Sequence, residues 1–261
     1  LWSGGSAVIS AVIDIFKLAI ITYYLAPNEL GVYALLTVVL GFSQLFSEGG
    51  LANAVISREA LERSTLGQLF NLNICLAVVV MLVGMLLAPF VAMFYETDEL
   101  RLLIPLILIG LPISAVNRFY QAVLQQHLMM QWIGLTIIVA KCLGLVATIL
   151  LCWLGLGLYA LIAASLITTV ALCALLISKA SSSITYQRRI NWTAVTPFVS
   201  FSMYQLGDQL LNFFSKNFDV LLITKLLGTE ASGLYHVCKS LLMRAGEVIV
   251  SSFTRYFHPL L

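Results

Sequence analysis

A stripe of polar side chains runs along one long apolar stretch near the end of the chain. Its members are three or four residues apart, and they are Gln205, Asp208, Asn212, Lys216 and Asp219. Residues at this spacing share one face when the stretch is helical. Such a face predicts a hydrated wall on which water or substrate hydroxyl groups exchange hydrogen bonds. A carboxylate there, such as Asp208, is also a candidate for loading a proton or a sodium ion, because burial raises its pKa and a nearby lysine lowers it.

The first apolar stretch of the chain carries a second stripe in the same register. Subtracting 202 from the later numbers superimposes residues 205–235 on residues 3–33, without a gap. The five partners of the later stripe are Ser3, Ser6, Ser10, Asp14 and Lys17. The charged pair at the end of the stripe is reversed between the copies, from Asp-x-x-Lys to Lys-x-x-Asp. Two apolar helices with polar stripes in one register predict a membrane protein with two lobes and a watery cleft between them.

Charges inside apolar stretches require partners, because an ionisable group near the bilayer centre costs about 2.5–3.5 kcal/mol on the insertion scale. Three pairs are spaced i, i+3 and can be structural ion pairs on their own helices: Asp14 with Lys17, Lys216 with Asp219, and Arg244 with Glu247. Lys141 has no acidic residue within one helical turn. Its counter-charge therefore comes from another helix or a bound anion, unless the lysine extends to the membrane interface.

The composition defines the elements that position these groups. Hydrophobic residues make up 61% of the 261 residues and charged residues 10%, whereas soluble domains are about a quarter charged. We therefore predict an all-α, polytopic membrane protein with about eight transmembrane helices, each needing about 20 apolar residues. The predicted spans lie at about 6–25, 30–53, 69–95, 100–123, 132–153, 158–178, 198–227 and 232–253.

Prolines, glycines and charged runs separate the spans. We predict a turn at 26–29, where Pro27 stops a helix, an interruption at Pro89, bends at Pro105 and Pro112, and a glycine-rich turn at 154–157. The one linker-like stretch is 179–197. The predicted domains are a six-helix lobe at 1–178, a cytoplasmic linker at 179–197 and two helices of a second lobe at 198–261. Since residue 1 is leucine, we expect the chain to begin inside a reading frame or after processing.

Loop charges predict the orientation, because cytoplasmic loops carry excess Lys and Arg. The loops after even-numbered spans hold Arg58, Arg63, Arg118, Lys179, Arg188, Arg189 and Arg255, whereas those after odd-numbered spans hold Arg101 and Lys225. This places the N-terminus and the linker in the cytoplasm. The three histidines and five cysteines form no metal-ligand spacing, and we predict neither a cofactor nor a nucleic-acid partner.

Two turns and the segments beside them resemble a known family. Residues 25–33 (LAPNELGVY) and 46–54 (FSEGGLANA), with 218–235 (FDVLLITKLLGTEASGLY) and 257–259 (FHP), are similar to bacterial polysaccharide flippases of the O-antigen and colanic acid type. These belong to the multidrug/oligosaccharidyl-lipid/polysaccharide exporter superfamily. The resemblance implies two pseudo-symmetric six-helix lobes in the cytoplasmic membrane, which rock to flip a polyprenyl-diphosphate-linked oligosaccharide. This chain holds one such lobe and the first two helices of the second.

The resemblance also implies a role for the charged residues. Cations facing the cleft would hold the diphosphate. Transport could be coupled to the movement of protons or sodium ions. We expect the substrate- or ion-binding residues to be Asp14, Lys17, Lys141, Asp208, Asn212, Lys216 and Asp219, with the two stripes facing each other across the cleft. The alternatives are a drug or peptidoglycan-precursor exporter of the same superfamily and, more weakly, a membrane-bound glycan polymerase or ligase. The polymerase or ligase is the weaker alternative because none of the predicted external loops is long enough for a catalytic cluster.

Overall fold

The described part of the chain is helical, as its apolar composition predicts. The computed structural model describes residues 2–48, 63–180 and 192–257, with side chains over 5–48, 65–179 and 203–246. The helices there are α1 (Trp2–Tyr24), α2 (Pro27–Glu48), α3 (Arg63–Tyr95), α4 (Leu100–Leu108), α5 (Leu111–Gln126), α6 (Met130–Trp153), α7 (Leu158–Ala180) and α8 (Trp192–Phe257). Gly228 interrupts α8 with φ 87° and ψ 174°. We call 192–227 and 229–257 the first and second parts of α8.

Six stretches of the described chain are long and apolar enough to cross a membrane. They are Gly5–Tyr24, Pro27–Glu48, Thr65–Tyr95, Leu100–Gln126, Met130–Trp153 and Leu158–Lys179. They correspond to the first six predicted spans, so the protein is a multi-pass membrane protein by length and apolarity. The two parts of α8 occupy the places of the seventh and eighth predicted spans. Membrane crossing by these two parts stays a prediction.

The turn predicted around Pro27 is confirmed, although it is shorter than predicted and lies at residues 25–26, whereas the interruption predicted at Pro89 is wrong. Pro27 is the first residue of α2, where its missing N–H group has no helical partner to lose. Glu29 completes this helix start, because its carboxylate accepts the Ala26 N–H at 2.9 Å, which is half of a capping box. The helix α3 continues through Pro89 to Tyr95. Proline is tolerated inside membrane helices when the surroundings satisfy the freed backbone groups.

The predicted bend in the fourth span is a break between two helices. It lies at residues 109–110, where α4 ends and α5 begins, and Pro112 stands in the first turn of α5. The glycine-rich turn at 154–157 is confirmed, with positive φ at Gly155 and Gly157. Both interruptions therefore lie close to the prolines and glycines that predicted them, although Pro105 itself lies within α4.

The predicted loops are shorter than expected where the structure describes them. Helix α3 begins at Arg63 rather than at residue 69, and α8 begins at Trp192 rather than at residue 198. Residues 49–62 and 181–191, which hold most of the second predicted loop and of the linker, lie outside the described residues. The lobe and linker boundaries stay predictions.

The chain forms two compact units, of which the first comprises Leu1–Leu35, Met130–Ala171 and Val220–Leu261. Within it, α1 packs along α6. Close approach is possible because Gly134 leaves room for Ser6, and a methyl group at Gly134 would lie 2.8 Å from the Ser6 Oγ. Gly144 makes similar room for the Thr168 hydroxyl. Small residues at helix crossings are the usual means of packing helices in lipid, where hydrophobic association is weak.

The second unit comprises Leu36–Met129 and Leu172–Asp219. Its helix α3 packs on α4 and α5 around a buried cluster formed by Leu66, Leu69, Phe70, Phe119, Ala122 and Val123. The Phe70 and Phe119 rings meet edge to face at 5.3 Å between centroids, a favoured aromatic geometry. This cluster is a conventional packed core that carries no charge.

Candidate functional site

One carboxylate in the first unit holds two cations. The Lys141 Nζ lies 2.7 Å from Asp14 Oδ2, and the Arg244 Nη1 lies 3.2 Å from the same oxygen. The three groups come from α1, α6 and the second part of α8. We call Asp14, Lys141 and Arg244 the charge cluster. It joins helices that are more than 100 residues apart in the chain.

The packing of α1 on α6 positions the first pair. The close crossing at Gly134 and Ser6 sets the register between these helices, and Asp14 and Lys141 lie about two turns further along each of them,. Asp14 has 18% and Lys141 28% of its side chain exposed. The pair is therefore partly withdrawn from the surface, in surroundings where ionic contacts are stronger than in water.

Arg244 supplies the second cation from the second part of α8. It stays 41% exposed while it contacts Asp14. The Lys141 ammonium and the Arg244 guanidinium thus meet at one carboxylate oxygen between apolar helices. A guanidinium and an ammonium side by side can bind an anion, and the guanidinium can bind a phosphate through two parallel hydrogen bonds. The arrangement suits an anionic group better than a neutral one.

The structure resolves the alternatives that the sequence left open for these charges. Lys141 takes its counter-charge from another helix, which was one of its predicted partners. Among the described side chains, Asp14 takes its partners from α6 and α8, so the proposed structural pair with Lys17 on α1 is wrong. Lys17 is half-buried and lies close enough to Cys152 for an electrostatic interaction. The Glu247 side chain lies outside the described residues, so its pairing with Arg244 is not described.

Arg244 was not among the predicted site residues. The i, i+3 spacing to Glu247 offered a local partner and hid the contact with α1. A signal was nevertheless present, because Lys141 lacked any local carboxylate and Asp14 was the one acidic residue of the first predicted span. Counting cations against carboxylates over several helices, rather than within one helix, would have indicated a shared partner.

The later stripe lies on one helix face, in the second unit. Asp208, Asn212 and Lys216 are exposed, and Asp219 is half-buried. The Asn212 amide donates to the Asp208 backbone carbonyl at 3.1 Å, which fits the predicted spacing of one helical turn. The stripe itself is therefore confirmed as a helical face. Its apposition to Asp14 and Lys17 stays a prediction.

A second ion pair lies within the second unit. The Arg118 Nε lies 3.1 Å from Glu48 Oε1. Arg118 lies within α5, and five other residues of the orientation count lie in helices rather than in loops, namely Arg63, Arg101, Lys179, Lys225 and Arg255. The remaining three, Arg58, Arg188 and Arg189, lie outside the described residues. The orientation stays a prediction, and Glu48 has a structural partner at the end of α2.

Comparison with known proteins assigns the chain to a family. The family model described as "Polysaccharide biosynthesis protein" matches residues 20–261. The chain belongs to this family. The predicted resemblance to the polysaccharide exporters is confirmed at this level.

Three curated relatives agree with the family assignment. The chain is 22% identical to an uncharacterized membrane protein in the cps region of Klebsiella pneumoniae, over 100% of this chain and 54% of that protein. It is 23% identical to the teichuronic acid biosynthesis protein TuaB of Bacillus subtilis, over 90% and 49%. It is 20% identical to the lipopolysaccharide biosynthesis protein WzxC of Escherichia coli, over 99% and 52%. The chain spans about half the length of these relatives, and no solved structure matches it.

Proposed function

We propose that this protein takes part in flipping lipid-linked oligosaccharide units across the bacterial cytoplasmic membrane for polysaccharide export, by alternating access. The observation that carries the proposal is the charge cluster, in which two cations share one carboxylate between apolar helices. A sugar joined to a polyprenyl tail by diphosphate has its negative charge at the boundary between a polar and an apolar part. An ammonium and a guanidinium close together beside lipid suit that boundary. The family assignment supports the same substrate class.

In this proposal the residues of the cluster have different roles. Lys141 and Arg244 bind the diphosphate, while Asp14 neutralises one of them when the site is empty. Because the carboxylate already occupies the place of an anion, an arriving diphosphate exchanges one ionic contact for another and avoids the full cost of dehydrating two cations. The polyprenyl tail stays in the membrane lipid during this exchange.

The polar stripes have a supporting role. Asp208, Asn212, Lys216 and Asp219 would line the path of the sugar, with Lys17 opposite them on α1. Hydroxyl groups moving along such a face exchange hydrogen bonds with side chains instead of losing them. Asp208 is the carboxylate that we propose for proton or sodium coupling. We propose a cytoplasmic N-terminus, which the distribution of Lys and Arg between the predicted loops supports.

Export by cells that lack the chromosomal gene and carry plasmid-borne variants tests the proposal. In Lys141→Ala, Lys216→Ala and Arg244→Gln we expect surface polysaccharide to fall by about 10- to 100-fold, since a hydrogen bond to a charged group contributes about 1.5–3 kcal/mol. Lipid-linked oligosaccharide should accumulate in the same cells, measured by mass spectrometry of extracted lipids. Immunoblotting of the membranes shows that each variant is present at the normal level.

A matched control distinguishes the loss of a binding site from the general effect of removing a positive charge. Arg101 pairs with Asp98 at 3.4 Å in an exposed i, i+3 contact, and exposed pairs of this kind contribute little. Arg101→Gln should export normally. Full export by the Lys141, Lys216 and Arg244 variants would show that these charges are structural. Accumulation of a peptidoglycan precursor instead of the oligosaccharide would favour the alternative exporter.

A further inference from the structure

The two copies of the repeated turn contact each other through their glycines. Gly31 lies in the first turns of α2, and Gly233 lies in the first turns of the second part of α8. A methyl group at Gly31 would overlap the carbonyl of Thr229 and lie 3.0 Å from its Cα. One at Gly233 would overlap the carbonyl of Pro27 and lie 2.7 Å from the Gly31 nitrogen. The two helix starts therefore touch backbone to backbone.

The contact is reciprocal. Gly31 contacts Thr229, and Gly233 contacts Pro27. Gly31 and Gly233 are equivalent in the repeat, as are Pro27 and Thr229, because each pair differs by 202 in number. This exchange of equivalent residues is what a local two-fold relation produces. The Thr229 hydroxyl also donates a hydrogen bond to the Asn28 side-chain oxygen. The repeat found in the sequence thus corresponds to a paired contact in space.

The second part of α8 meets the first repeat at a second level. Arg244 follows Gly233 by 11 residues, which is about 16 Å along a helix, and Asp14 precedes residue 26 by 12 residues, which is about 18 Å. The contact between Arg244 and Asp14 therefore lies at a similar distance below the paired turns on both helices. The paired turns therefore lie at one end of the contact between α1 and the second part of α8, and the charge cluster lies further along the same two helices.

We propose that the paired turns form a releasable seal on the outer side of the membrane, which separates when the transporter opens outward. The inference rests on the proposed transport function and on the predicted orientation for the side that opens. Glycines suit a seal because they leave no gap between the backbones and no side chain that locks the helices together. The Thr229–Asn28 hydrogen bond joins neutral groups, and the Asn28 side chain is exposed, so water can replace this bond at little net cost.

A cross-link tests whether the turns must separate. Cysteines at Asn28 and Thr229, in the full gene product freed of other cysteines, should form a disulfide in resting membranes. The disulfide should reduce export by at least 10-fold, and a reducing agent should restore export. Export that continues with the disulfide intact would show a permanent anchor, and failure of the cross-link to form would show that the turns do not meet. Either result overturns the seal.

Side-chain insertion tests the steric argument independently. With a reporter cysteine in place of Ile21, which is buried near the outer end of α1, Gly31→Leu should raise labelling by an impermeant maleimide from outside several-fold. Gly31→Ala provides a milder variant if the larger one fails to reach the membrane. Gly207→Leu is the matched control, because nothing lies within 4 Å of a methyl group there. Equal labelling in the Gly31 and Gly207 variants would contradict the proposal.

These readouts are separable from the cargo. Cross-linking and labelling need no oligosaccharide, so they report on the turns alone. Normal export by the Lys141 and Arg244 variants, together with a seal that behaves as expected, would refute the diphosphate site and leave the seal in place. Loss of export in the Lys141 and Arg244 variants, together with turns that fail to cross-link, would refute the seal and leave the diphosphate site in place.

Discussion

The charge cluster predicts stability losses that decrease as its side chains become more exposed, from Asp14 to Lys141 to Arg244. Asp14→Asn leaves two cations without the carboxylate that joins them, and since the groups are only partly buried the loss lies at the lower end of the about 3–5 kcal/mol that breaking a buried pair costs. Lys141→Met leaves Asp14 with Arg244 at 3.2 Å. Its loss is one charge-assisted hydrogen bond, or about 1.5–3 kcal/mol. Arg244→Gln removes a partner that is 41% exposed and should cost about 0–1 kcal/mol.

Equilibrium unfolding of the purified variants in mixed micelles measures these free energies. We expect the order Asp14→Asn, then Lys141→Met, then Arg244→Gln, with Arg101→Gln close to the unaltered protein. The order of export is expected to differ, because Lys141 and Arg244 bind the diphosphate directly. A variant such as Arg244→Gln should therefore be nearly as stable as the unaltered protein and still fail in export.

Two outcomes would refute this reasoning. If Asp14→Asn unfolds with the same free energy as the unaltered protein, the carboxylate does not hold the cluster together. If Arg244→Gln is the most destabilised variant, the exposed contact is more important to the fold than the less exposed one. A double variant, Asp14→Asn with Lys141→Met, provides a check, since it should lose less than the sum of its single variants when the two groups interact.

Three further predictions concern topology, the stripes and packing. Cysteines at Thr97 and Ser182, in a background without native cysteines, should be labelled from outside and inside respectively, and the opposite pattern would reverse the orientation. Exchanging the charges of Lys17 and Asp219 together should impair export less than either single change, whereas additive losses in export assays would show that the two never pair. Gly144→Val should destabilise the protein by about 1–3 kcal/mol through overpacking, measured by the same unfolding assay.

The sequence predicted the elements of this protein well where a single helix decides the outcome. Apolarity and length located six spans, and periodicity showed that Asp208 and Asn212 share a helical face. Both properties are local, because a helix satisfies its own backbone and projects its side chains at fixed angles. The same local rules displaced the turn at Pro27 by a few residues and failed at Pro89, because the effect of proline depends on its position in the helix and on its neighbours.

The partners of the charged residues were decided by tertiary structure. Spacing offered Asp14 a local pair with Lys17, but the carboxylate contacts Lys141 and Arg244 instead. A carboxylate that is partly withdrawn from water gains from two cations at once, and only the packing of α1 beside α6 and α8 brings them within reach. No one-dimensional spacing encodes that proximity.

The repeat shows both contributions at one place. The sequence alone determined that residues 3–33 and 205–235 are copies, and that Gly31 and Gly233 are equivalent. Their reciprocal contact with Thr229 and Pro27 was visible only in the structure. A duplicated sequence specifies two similar helix starts, whereas their close approach depends on how distant helices pack and on the absence of a side chain at the point of contact.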